Sequence, residues 1–105
     1  MGWNYDHAPY GERVHLSALQ LDNLSKQVAH VVSSKDWRIV LPLFDQVQRA
    51  DGPFEITPRE AGPIANVLKL AACSPRMTEG WDTVAHRLAD AADSAAKNRE
   101  PWHWS

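Results

Sequence analysis

From Leu16 onward the apolar positions fall into helical spacing. Leu21, Leu24, Val28, Val31 and Val32 recur every three or four residues and so share one face. Ser17 precedes them with Gln20 three residues later, a pairing in which each side chain can satisfy a free backbone N–H of the first turn. The pattern predicts a first helix from about Ala18 to about Ser33, a break at Ser34 and Lys35, and a second helix capped by Asp36. Trp37, Val40, Leu41, Phe44 and Val47 mark the inner face of that second helix, which ends near Ala50. Pro42 either kinks it or places residues 37–41 outside it, because the ring removes one intrahelical bond.

Asp51, Gly52 and Pro53 turn the chain, and Phe54, Glu55 and Ile56 alternate as a short strand does. Thr57, Pro58 and Glu60 form a helix start: a cap, a proline at the first helical position and an acidic residue to complete the box. The third helix carries Ile64, Val67, Leu68 and Ala71 inward and stops at Ser74 and Pro75. A fourth, capped by Thr78 over residues 79–98, carries Trp81, Val84, Ala85, Leu88, Ala91, Ala92 and Ala95. Its small residues Ala85, Ala89, Ala92 and Ala96 form a row suited to close packing, either against a helix of the same chain or about a twofold axis in a homodimer.

A forty-residue shift lays Leu16, Ser17, Gln20, Leu24 and Val28 over Ile56, Thr57, Glu60, Ile64 and Leu68. Each half then reads as strand, helix, helix, and Val14 to Leu16 would pair with Phe54 to Ile56 as a two-stranded antiparallel ribbon. Residue identity is almost absent under the shift, so two similarly capped helix pairs explain the match as well as duplication does. The fold class expected is mainly α: four helices with that minimal ribbon. It forms a single domain over residues 1–105, comprising an aromatic N-terminal segment (1–16), a helix pair (17–50), a strand with a second helix pair (54–98) and a Trp-rich tail (99–105).

Composition narrows the function classes. The 105 residues are 44% hydrophobic and 23% charged, as in soluble globular domains. Eleven basic against thirteen acidic residues leave a formal charge of −2, the wrong balance for a module that draws its affinity from phosphates. The first turn of the fourth helix, with Glu79, Gly80 and Asp82, also lacks the groups of a DNA-reading helix, so nucleic acid is not the expected partner. No apolar run reaches the length of a membrane span. The lone Cys73, read as a buried, inert thiol, favours a reducing cytoplasm over an oxidising compartment.

The unusual chemistry lies near the two ends. Trp3 and Tyr5, like Trp102 and Trp104, are spaced by two, which puts each pair on one side of an extended chain; Tyr10 adds a further ring. Either the two tails dock on each other and bury these rings, or Trp3, Tyr5, Tyr10, Trp102 and Trp104 form an exposed platform that binds a protein partner. Asp6, His7, His15 and His103 sit near the same cluster, and the three histidines are the alternative ligands for a metal ion or small molecule, although no helical His spacing supports them. No phosphate loop, nucleophile elbow or paired acid motif is present, so no catalytic residues and no cofactor are expected. Asp93, four residues before Lys97, reads as part of a solvated ion-pair face.

The segments Phe54 to Ala72, Gly80 to Ala92 and the closing Pro-Trp-His-Trp-Ser resemble small uncharacterised proteins of actinobacteria and their phages. The resemblance rests on a capping box, an Ala-rich helix and a Trp tail. It implies a bacterial, cytoplasmic setting and carries no catalytic residues. The function expected from all of this is a non-enzymatic protein-binding accessory, regulatory or anti-defence protein, with small-ligand or metal binding by the terminal His and Trp cluster as the alternative.

Overall fold

Ser17, Ser33 and Thr57 each end an extended segment and open a helix. Their side-chain oxygens accept the N–H three residues on, from Gln20 (3.0 Å), Asp36 (3.1 Å) and Glu60 (3.2 Å), caps worth about 1 kcal/mol each. At Ser17 the Gln20 carboxamide returns the favour to the cap N–H (2.8 Å). At Thr57 the Glu60 carboxylate instead accepts from the Thr hydroxyl (2.9 Å).

The computed structural model describes residues 2–8 and 13–105. Its elements are β1 Gly2–Tyr5, β2 Val14–Ser17, α1 Ala18–Val31, α2 Ser34–Arg49, β3 Phe54–Ile56, α3 Pro58–Ala72, α4 Trp81–Lys97 and β4 Trp102–Trp104. The helices follow the apolar pattern, with four local differences, the first being that Leu41, expected on the inner face of α2, is exposed while Leu43 is buried. Ser33, not Asp36, caps α2, so that helix begins earlier. Pro42 lies inside α2 on its exposed side, where the carbonyl of Arg38 can turn to solvent. Thr78 caps nothing: α4 starts after Gly80, whose φ of 94° is left-handed and open chiefly to glycine. Asp82 then accepts the N–H groups of Gly80 (3.1 Å) and Thr83 (2.9 Å).

The sheet departs furthest from expectation. It has four antiparallel strands in the order β2-β1-β4-β3, not two. Val14 to Leu16 and Phe54 to Ile56 do not pair; they are its opposite edges, and the two terminal segments fill the space between them. Gly2 to Tyr5 align with Ser17 to Val14, and Phe54 to Ile56 with Trp104 to Trp102. The inner pair is closed by Asn4 and Ser105, which exchange backbone bonds of 2.7 and 2.9 Å, and by the Asp6 N–H on the His103 carbonyl (3.3 Å). The strand–helix–helix order recurs in each half, but the halves pack differently. α3 and α4 lie together along their length, whereas α1 and α2 meet less extensively.

Between α3 and α4 the small residues serve as expected for an internal contact. Ala85, Ala89, Ala91, Ala92 and Ala95 are wholly buried, and a Cβ added to Gly62 would lie 3.7 Å from that of Ala96. Larger side chains, Leu24, Val28, Ile64, Leu68 and Leu88, complete the core beside Trp102 and Trp104. Among the described residues no helix is long and apolar enough to cross a membrane.

Candidate functional site

The paired tail aromatics point to the same side of the sheet, as their spacing requires, and that side is the inside. Tyr5, Trp102 and Trp104 are 1%, 0% and 0% exposed. Tyr5 meets Trp102 edge-on at 5.8 Å, and Trp104 stacks on Phe54 at 5.9 Å. Trp102 Nε1 donates to the Asp6 carbonyl (2.9 Å). These three rings therefore offer a partner no surface, which corrects the platform reading for them; their burial follows from the central place of β1 and β4 in the sheet. Tyr10 lies outside the described residues. Trp3 differs. It is half-buried, meets Phe54 edge-on at 5.0 Å and donates Nε1–H to the Val47 carbonyl (3.1 Å) at the end of α2.

The histidines do not converge. His7 contacts Glu100 (3.5 Å), His15 Nδ1 meets Asn4 Oδ1 (3.0 Å) and His103 Nδ1 meets Glu55 (3.1 Å). His15 and His103 stand on strands separated by β1, roughly 10 Å apart at the usual strand spacing, while zinc needs its ligand nitrogens about 2 Å from one ion. Among the described residues no group of three His, Cys, Asp or Glu side chains is placed to hold a metal. His103, Glu55, Asn4 and His15 instead form a polar outer face on the sheet. Cys73 is exposed, contrary to the buried thiol expected, because α3 ends at Ala72 and leaves it as the C-cap, past the inward stripe.

What the structure does build is a groove of about 570 Å³ at the end of the sheet where β1 begins. Leu21, Phe44, Val47 and the Trp3 ring give it an apolar floor. Gly2 and Trp3 form one bank, Gly52 and Pro53 the other, and Ser105 closes its head. Asp22, Ser25, Gln48 and Asp51 supply the polar lining. Asp22 is held by Lys26 (3.1 Å), whereas Asp51 has no ion-pair partner among the described residues. Among the described residues, the ionisable side chains lining the groove are these two carboxylates. Each part has a local cause. The antiparallel register sets Gly2 against Ser17, at the start of α1, and the Asp51–Gly52–Pro53 turn brings the end of α2 back to the sheet. Of these residues only Trp3 stands out in the sequence; Asp22, Gln48 and Asp51 have the look of ordinary helix-surface and turn residues, and no local signal marks them.

Among the described residues two titrations are displaced, and both groups lie outside the groove. Burial pushes the Tyr5 hydroxyl up to about 12, against a smaller opposing effect of Arg87. Hydrogen bonding from Lys97, with help from Lys69, holds the Asp93 carboxyl below its usual range. Asp93 sits 2.9 Å from Lys97 and 3.4 Å from Lys69, so the ion pair along α4 also ties α4 to α3. Both shifts are the signature of packing and ion pairing rather than of an acid–base pair set against each other.

Comparison with known protein families places the chain. The model of a domain of unknown function, DUF7739, matches residues 8–105, and the chain belongs to that family. No curated protein and no solved structure matches the chain.

Proposed function

We propose that this DUF7739 domain is a non-catalytic binding module that holds a segment of a protein partner in the groove between β1, α1, α2 and the Asp51–Pro53 turn. The observation that supports the reading is the make-up of that groove: an apolar floor with a half-exposed Trp, bordered by carboxylates and carboxamide. Aromatic anchors beside a polar rim are the usual composition of an interface that excludes water at its centre. No cofactor and no catalytic step enter it. The partner's context in this reading is the cytoplasm of a bacterium or of a phage-infected cell, where the protein acts as an accessory, regulatory or anti-defence factor; the lone cysteine and the likeness to small actinobacterial and phage proteins support that setting.

A photo-crosslinking amino acid placed at Gln48, on the rim, tests it. Irradiation in extract of the native host should join a distinct protein to position 48. The same group at Glu79, exposed and outside the groove lining, should not capture it, and the substitution Gly52→Trp, which fills the groove, should remove the product. Equal capture at both positions, or capture indifferent to Gly52→Trp, defeats the reading. The volume of the groove also lies in the range of small-molecule sites. A saturable rise in Tm with a small cationic metabolite, and no partner crosslink, would move the groove to that class.

A further inference from the structure

We draw no further inference here: the strongest candidate, the partly exposed apolar patch of Trp37 and Leu41 on α2, is an unpartnered helix face, and nothing in the structure shows what covers it.

Discussion

Asn4 and Ser105, 101 positions apart, exchange both of their backbone hydrogen bonds at 2.7 and 2.9 Å. The sheet is thus sealed in its middle by the two segments most distant in sequence, and its outer strands come from the interior of the chain. Ser105 is held further by the Asn4 carboxamide on its carbonyl (3.3 Å) and by the Arg13 guanidinium on its hydroxyl. Closing so long a loop is costly in entropy, so the stability of this arrangement rests on what the last strand buries.

Deleting residues 101–105 should therefore unfold the domain. It removes β4, exposes both edges it paired and withdraws two wholly buried Trp side chains. Truncation of a buried Trp costs about 3–5 kcal/mol, and a small domain holds in total about 5–15 kcal/mol. Circular dichroism should show no cooperative melt. A sigmoidal transition within a few degrees of the full chain would refute the docked-tail account.

The two Trp residues of β4 should differ from each other. Trp102 Nε1 donates to the Asp6 carbonyl (2.9 Å), whereas Trp104 Nε1 is buried without a partner. Phenylalanine at either position loses similar volume. At position 102 it also strands an acceptor, while at 104 it removes an unpaired donor, each effect worth about 1–3 kcal/mol. Trp102→Phe should accordingly be the less stable variant by about 2 kcal/mol or more in urea unfolding. Equal midpoints would mean that the indole bond contributes nothing.

These relationships differ in how far the sequence announces them. Ser17 with Gln20 and Thr57 with Glu60 are legible because a helix cap is decided within four residues. The inward stripe of α4 is legible because its period is local as well. Strand pairing is not local: Val14 to Leu16 and Phe54 to Ile56 look like natural mates, and nothing in either segment says that β1 and β4 will come between them. The spacing of Trp3 with Tyr5 and of Trp102 with Trp104 does indicate extended chain with one buried side, and read as strand it would have indicated a four-stranded sheet. The groove was beyond reach, because Asp22, Gln48 and Asp51 acquire a common surface only through the register that sets Gly2 against Ser17.

Alkaline stability should report on Tyr5. Burial raises its hydroxyl from 10.0 to about 12. The unfolded chain then gives up its proton first, so stability is whole below pH 10 and declines as pH rises through 12. Two pH units correspond to a loss on the order of 2–3 kcal/mol. Tyr5→Phe should flatten this decline, and the phenolate absorbance of the wild type should show one tyrosine ionising late, with unfolding. A single normal titration of both tyrosines would contradict the burial of Tyr5.

Asp93 should act at the other end of the scale. Its carboxyl is held below the usual range by Lys97 and Lys69, so the folded chain releases this proton more readily than the unfolded one. That contribution is present above the unfolded carboxylate pKa of about 4 and is lost as pH falls through the lowered value. Asp93→Asn should be less stable than wild type at pH 7, and the gap should close as pH falls through that lowered value. A constant gap across that range would show that packing, not charge, accounts for the difference.

Gly2 on β1 has no room for a side chain. A Cβ built there would lie 2.5 and 2.6 Å from the His15 ring and 2.8 Å from the Leu16 carbonyl oxygen. Atoms so placed must move, and two of the three belong to a side chain that can swing away by giving up its contact with Asn4 Oδ1. The third is backbone, in the strand paired with Gly2. Gly2→Ala should therefore destabilise the domain by about 1–3 kcal/mol, as overpacking of a filled site does. His15→Ala in the same chain should recover only part of that loss, because the Leu16 carbonyl remains in the way. Complete recovery would place the whole conflict on the imidazole, and an unaffected Gly2→Ala single variant would show that β1 and β2 pair less closely at this end than the 2.8 Å approach requires.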